Sequence, residues 1–173
     1  MLRRQVILMS GGIDSAYLGG LVERSALCLF IDYGQPARRR ERASSWGIAK
    51  NLLLNWAEVS IYGMPLGDMD DWKSGACVVP ARNLWLTSIA AAFGDEVWIG
   101  CAPQDERDYE DCRLHFLEDL NQAMRTIGKR LRWSNASRDT RKAWLAEQNL
   151  LEMAWSCYGP GPKECGECAS CRQ

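Results

Sequence analysis

The chain has a single histidine, His115, among 173 residues, which excludes a histidine-built metal centre. It has no excess of either charge: 21 basic against 22 acidic side chains leave a net charge of −1. That balance excludes the broad basic footprint of a nucleic-acid-binding surface. No apolar run approaches the roughly 18 residues that cross a bilayer, so no membrane partner is expected. The apolar stretch after the basic start, Val6–Met9, is too short for the core of a secretion signal. Two common nucleotide signatures are also missing, the GxxxxGK[ST] loop and GxGxxG.

Against these absences stand eight cysteines and a hydrophobic fraction of 47%, enough for a substantial core. With no export signal, the chain is expected to be cytoplasmic, where thiols stay reduced and clustered cysteines favour metal over disulfides. Cys157, Cys165, Cys168 and Cys171 are spaced C-x7-C-x2-C-x2-C. Four thiolates fit a closed tetrahedral zinc site, structural because no position is left open. An iron–sulfur cluster takes the same donors, and paired disulfides are the remaining alternative. Zinc leads because nothing else in the chain suggests redox work.

Strand and helix signals alternate. QVILM (5–9) reads as a buried strand, followed by a helix over 14–24 that Gly19-Gly20 weakens. LCLFI (27–31) is a second buried strand, with a helix over 37–53 and a third strand over 56–61. A loop over 63–77 precedes a helix over 80–93 and a strand at EVWIG (96–100). A polar loop at 102–110, a helix over 112–126, a short strand at 131–133 and a helix over 139–148 complete the pattern. This is the signature of an α/β fold with a parallel, doubly wound sheet. The expected organisation is a catalytic domain over 1–156 and a cysteine knuckle over 157–173 packed on it.

Ser10-Gly11-Gly12-Ile13-Asp14-Ser15 falls between the first strand and the first helix, where open α/β sheets bind ligands. Glycines there let backbone approach an anion, and the hydroxyls of Ser10 and Ser15 can donate to phosphate. Asp14 would repel bare phosphate, so Mg²⁺ bridging the phosphates is its expected partner. A Gly-rich turn with a helix cap is the plainer reading of the same residues.

SGGIDS resembles the SGGxDS signature of the PP-loop ATP pyrophosphatases. Together with Asp32-Tyr33-Gly34-Gln35, Val79-Pro80-Ala81-Arg82-Asn83, Tyr109-Glu110-Asp111-Cys112-Arg113 and the Trp155-Ser156-Cys157-Tyr158 segment leading into the knuckle, the pattern resembles the QueC family of 7-cyano-7-deazaguanine synthases. The likeness runs from Val6 to Arg172. It implies a ligase that uses ATP and Mg²⁺ to adenylate 7-carboxy-7-deazaguanine. Ammonia then gives an amide, and a second ATP activates that amide for dehydration to the nitrile, with release of AMP and pyrophosphate. It also implies a homodimer handling small molecules without direct contact to nucleic acid.

On this resemblance Ser10, Gly11, Gly12, Asp14 and Ser15 bind ATP, and Asp14, Ser15 and Lys142 serve catalysis. Arg82, Asn83, Asp111 and Arg113 meet the acceptor, while the four clustered cysteines hold zinc. Each has a plainer alternative: Arg82 and Asn83 as a helix start with a surface ion pair, Asp111 as a cap, Lys142 as a solvated helix residue. Arg38–Arg42 reads as a solvated basic helix face, and Cys112, Cys28, Cys77 and Cys101 as small packed residues.

The chain departs from the family pattern in places. The segment between Ile61 and Val79 is shorter by roughly 20–30 residues on ordinary domain sizes. Pro36-Ala37 follows Gln35, Ala102 replaces an asparagine, Glu110 replaces a proline, and a terminal helix is missing. The departures fall on the acceptor side, so two alternatives stand beside nitrile synthesis. One is a paralogue joining a carboxylate to another amine in a phage or defence-type pathway; the other is a non-catalytic ATP-binding zinc module.

Overall fold

The computed structural model describes residues 4–67, 69–73, 77–107 and 109–172. Five strands form one sheet: β1 (Gln5–Leu8), β2 (Leu27–Asp32), β3 (Asn55–Ser60), β4 (Glu96–Trp98) and β5 (Arg130–Arg132). All pairings are parallel, in the order β3-β2-β1-β4-β5. Val6 lies opposite Leu27 on one side and Val97 on the other, which places β1 at the centre.

The continuous apolar run in β1 follows from this position, because both faces of a central parallel strand are covered. Val6 and Leu8 point to one face with Leu29, Ile31, Val97 and Ile99, while Ile7 and Met9 point to the other with Cys28. Helices α3 (Arg82–Ala90) and α4 (Leu114–Thr126) cover the first face through Ala90, Leu117 and Met124. Helices α1 (Ile13–Leu18), α2 (Arg38–Asn51) and α5 (Arg138–Glu147) cover the second through Ala16, Leu18, Ile48, Ala49 and Leu145. The chain leaves β1 toward β2 on one side and reaches β4 on the other, so the strand order reverses beside β1. Ligands of open α/β sheets bind at that reversal.

Among the element boundaries that differ from the sequence expectation, three have a clear local reason. Helix α1 stops at Leu18 instead of running to 24. Gly19 and Gly20 end it where neighbours close in: a Cβ on Gly20 would sit 2.2 Å from Trp144 of α5. Helix α3 begins at Arg82, after Ala81 takes a left-handed conformation (φ 51°) that the expected start at Pro80 does not accommodate. Helix α4 begins at Leu114, because Glu110–Cys112 forms a separate 3₁₀ turn. Among the described residues, no helix is long and apolar enough to cross a membrane.

The turn after β1 depends on Gly11, whose φ of +84° is readily reached only without a side chain. A Cβ there would lie 2.7 Å from both the Cβ and Oγ of Ser44 and 2.7 Å from the Ser45 nitrogen. Gly11→Ala is therefore expected to destabilise the fold by about 1–3 kcal/mol, since left-handed strain and a backbone clash coincide. A urea unfolding midpoint checks this; an unchanged midpoint contradicts it.

Candidate active site

A cleft of about 250 Å³ opens at the carboxyl ends of β1, β2 and β4. Its floor is the loop Ser10–Ser15, held in shape by its own hydroxyls. The Gly11 N–H donates to Ser15 Oγ (3.2 Å), Ser15 Oγ donates to the Gly12 carbonyl (3.0 Å), and Ser10 Oγ lies 3.2 Å from Ser15 Oγ. Ser44 Oγ and the Trp155 N–H both donate to the Gly11 carbonyl, at 2.8 and 2.9 Å, so α2 and the segment before the knuckle brace the loop from behind. The first backbone N–H of α1 with an intrahelical acceptor is that of Ala16. The earlier N–H groups at this helix start are the ones helix geometry leaves for an outside acceptor.

Asp14 lies in the cleft, and its Oδ1 accepts from Arg141 Nη1 at 2.7 Å. Burial pushes the Asp14 carboxyl above its usual range, with Arg141 and Arg138 opposing that rise and Asp105 adding to it. Arg141 is fully buried. It also donates to the carbonyls of Cys101 (2.8 Å), Ser134 (2.7 Å) and Ala136 (3.1 Å). Gly100 permits this convergence, because a Cβ there would stand 3.0 Å from the Ser15 nitrogen and 3.3 Å from Asp14 Cβ. Lys142 and Arg138, one turn apart on α5, both line the cleft, and Arg138 pairs with Asp105 at 3.0 Å.

The other half of the cleft centres on Arg82. Its guanidinium lies close to the Tyr33 side chain and over the ring of Tyr109, 5.9 Å from the centroid. The Tyr109 hydroxyl is 3.2 Å from that of Tyr158. Burial pushes Tyr33 up to about 12 and also raises Tyr109 and Tyr158, so the three phenols stay neutral. Burial alone would lower the Arg82 pKa, but Tyr33, Tyr158 and Asp111 raise it above the ordinary arginine value. Among the described residues, no carboxylate forms an ion pair with Arg82.

The cysteine cluster forms one wall. The Sγ atoms of Cys157, Cys165, Cys168 and Cys171 all lie within 4.8 Å of one another, and Cys165 and Cys171 are 3.8 Å apart. A tetrahedron with zinc–sulfur bonds of about 2.3 Å has edges of about 3.8 Å, so the set fits the ion. Backbone N–H groups of Gly159 and Cys165 donate to Cys157 Sγ, and those of Glu167 and Cys168 donate to Cys165 Sγ, at 3.2–3.3 Å. Donors aimed at sulfur suit thiolates, which is the form a metal binds. The cluster reaches the cleft through Trp155, Ser156, Tyr158 and Ser170, all of which line it.

A family model described as Queuosine biosynthesis protein QueC matches residues 4–173. The chain belongs to the QueC family. Proteins named 7-cyano-7-deazaguanine synthase are similar over nearly its whole length. That of Rhizorhabdus wittichii is 30% identical across 98% of this chain and 88% of its own length. Those of Campylobacter curvus and Methanospirillum hungatei are each 30% identical and 91% covered. The first two alignments span 203 positions, more than this QueC-family chain contains, so the relatives carry stretches that it lacks.

Of the residues expected from sequence, Ser10, Gly12, Asp14, Ser15, Arg82, Asn83 and Lys142 line the one cleft, with Gly11 buried behind the loop. Asp111 and Arg113 do not line it. Asp111 Oδ2 accepts from the Asn83 N–H at 2.9 Å, capping α3 instead of its own helix, and Arg113 turns to Glu110 and the Glu106 carbonyl. The Asn83 side chain is itself occupied, donating to the Asp111 carbonyl (2.9 Å) and toward Cys112 Sγ (3.3 Å). The basic run 38–42 is largely solvent-exposed, as expected, with Arg39 and Arg40 exposed and the Arg38 and Arg42 side chains 43% and 40% exposed, yet several of its residues have partners. Arg42 pairs with Asp32 and Glu58, Arg40 lies over Trp155 and donates to the Pro162 carbonyl, and Glu41 lines the cleft.

Sequence reasoning missed Arg138, Arg141 and the tyrosine triad. Arg141 precedes Leu145 by one turn, in phase with the buried stripe of α5, and a charge in that phase is the signal. Arg138 and Lys142 share i, i+4 spacing. Nothing local marks Tyr33, Tyr109 and Tyr158 as neighbours.

The purified protein is expected to carry about one zinc per chain by elemental analysis, as a closed four-cysteine site binds one ion. Cys168→Ser should lose that zinc and unfold at lower temperature. A folded, metal-free wild type with an unchanged melting midpoint contradicts the assignment.

Proposed function

We propose that this QueC-family chain is a 7-cyano-7-deazaguanine synthase, converting 7-carboxy-7-deazaguanine and ammonia to the nitrile at the expense of ATP. The observation that carries the reading is the single cleft in which the SGGIDS loop faces Arg82 and its tyrosines across the sheet reversal. One half is suited to phosphates and the other to a flat anion.

A carboxylate is a poor electrophile, and adenylation supplies a leaving group. In this reading the carboxylate oxygen attacks the α-phosphorus of ATP and pyrophosphate leaves. Ammonia then attacks the acyl carbon and AMP departs. The resulting amide oxygen is adenylated by a second ATP, and loss of AMP leaves the nitrile. Every step needs positioning and charge neutralisation more than a side-chain nucleophile.

Ser10, Ser15 and the early N–H groups of α1 would hold phosphate oxygens, while Lys142 and Arg138 bring positive charge from α5. Asp14 Oδ2 takes no hydrogen bond among the described residues and fits a Mg²⁺ ion that keeps water and phosphate as its other ligands. Such an ion, when bound, would neutralise charge on the leaving pyrophosphate. Arg82 would pair with the acceptor carboxylate, and the neutral phenols around it would stack on or donate to a heteroaromatic ring. The cysteine cluster has no part in the bond changes; its contribution is to hold Trp155 and Tyr158 in the wall.

Incubation with ATP, Mg²⁺, ammonium and 7-carboxy-7-deazaguanine is expected to yield the nitrile by mass spectrometry, with AMP and pyrophosphate. AMP without nitrile would overturn this product in favour of another acceptor. Asp14→Ala should lower AMP release by about 10²-fold or more while the protein stays folded; unchanged turnover removes Asp14 from the mechanism. Arg82→Met should raise KM for the carboxylate about tenfold while KM for ATP changes little, because a charge-assisted pair is lost only on the acceptor side. Equal changes in both constants contradict that placement.

A further inference from the structure

Arg141 is a formal positive charge with no exposure to water. Four acceptors from separate parts of the chain surround it: Asp14 Oδ1 at the start of α1, the Cys101 carbonyl beyond β4, and the Ser134 and Ala136 carbonyls before α5. The ring of Tyr17 lies beneath its guanidinium, 5.8 Å to the centroid. A buried guanidinium is tolerated only when its donors are met and its charge is balanced, and Asp14 is the one ion-pair partner it has among the described residues. The three carbonyls fix the guanidinium plane. That plane in turn fixes Asp14, one oxygen of which is held at 2.7 Å while the other is left for the cleft.

We infer that Arg141 is a positioning residue for Asp14, holding its carboxylate in the single orientation from which the free oxygen meets a magnesium–nucleotide complex. The inference rests on the nucleotide-binding reading of the Ser10–Ser15 loop. Two features support a role beyond holding the fold together. The pair stands at the cleft wall, with the Asp14 side chain part-exposed and Arg141 wholly behind it. The other cations near Asp14 do not substitute for it: Arg138 is engaged by Asp105, and Lys142 forms no ion pair among the described residues. A clamp of this kind removes rotamer freedom from Asp14 before the nucleotide arrives, so that ordering is not charged against binding.

The test is a double-mutant cycle read by binding, independent of turnover. The probe is α,β-methylene ATP, which resists cleavage at the relevant bond, titrated calorimetrically with excess Mg²⁺ and again with EDTA. Arg141→Met is expected to weaken Mg²⁺-dependent binding about tenfold or more in the native background, with little change in EDTA. In an Asp14→Asn background the same substitution should cost nothing further, because a residue acting through Asp14 has nothing left to position. Arg141→Lys, which keeps the charge but cannot reach all four acceptors, should fall between wild type and Arg141→Met.

Equal losses in both backgrounds, or equal losses with and without Mg²⁺, would mean that Arg141 is structural only and would overturn the inference. Should Arg141→Met alone not fold, the Asp14→Asn/Arg141→Met double variant leaves no unpaired buried charge. Its affinity compared with Asp14→Asn, together with the Arg141→Lys measurement in both backgrounds, completes the same comparison. Failure of wild type to bind the probe at all would instead sink the nucleotide reading of the loop, an outcome distinct from a wild type that binds without coupling.

Discussion

Taking a guanidinium out of water costs several kcal/mol even after the protein relaxes, and the cost is recovered only where geometry satisfies the donors. Arg141 meets that condition by drawing in a carboxylate and three carbonyls. The satisfied donors impose a constraint on everything nearby. The start of α1, the end of β4 and the turn before α5 must all be in register at one point. Gly100 admits the loop there, and Gly20 admits Trp144 so that α5 can lie close against α1. The Ser10–Ser15 loop is consequently not an independent turn; it is the place where three segments are tied to one buried charge.

The same constraint organises the charges of the cleft. Asp14 is paired with Arg141 and Asp105 with Arg138, so the two carboxylates beside the Ser10–Ser15 loop are already offset, while the third in the cleft, Glu41, accepts from Gln35. Arg82 has phenols around it instead of a carboxylate partner. The chain as a whole carries a charge of only −1, yet the cleft has one half with hydroxyls and basic groups and another with a guanidinium that no carboxylate among the described residues pairs directly. Preorganised local dipoles and charges are what stabilise phosphoryl and acyl transfer. Net charge is a poor guide to such a site, because neutrality of the whole says nothing about where the balance is struck.

How much could be read from the sequence follows from how local each feature is. QVILM and LCLFI announce buried strands because both faces of a central parallel strand are covered, and the alternation with helices gives the fold class. The cysteine spacing is legible for the same reason, since its donors lie within 15 residues from Cys157 to Cys171. The order of strands is not local, and so the meeting of Tyr33 from the end of β2, Tyr109 from the turn before α4 and Tyr158 from the knuckle is invisible before folding. On α5 the sequence reading took Lys142 from the family resemblance, and Lys142 does line the cleft; burial phase adds Arg141, one residue earlier. Arg38–Arg42 shows the same limit from another side: the run is exposed, as its composition suggests, but its partners Glu58, Trp155 and Pro162 come from other parts of the chain and were not legible in sequence.

The cysteine knuckle gains a second meaning from these contacts. Composition sets it apart after Cys157, but hydrogen bonds tie it and the segment leading into it to the rest of the chain. The Trp155 N–H donates to the Gly11 carbonyl in the Ser10–Ser15 loop, Arg40 of α2 reaches the Pro162 carbonyl, and the Tyr158 hydroxyl meets Tyr109. A Cβ on Gly159 would stand 2.9 Å from Trp72, so the knuckle backbone also packs against the segment between β3 and α3. A short segment rich in glycine and proline cannot hold such contacts by its own conformational preference. Four thiolates converging on one point would supply the missing rigidity with a metal bound, since binding there doubles as folding free energy. The wall that faces Arg82 is thus set by chemistry at the cysteines, while the floor is set by Arg141, and the distance between wall and floor fixes what the cleft can accept.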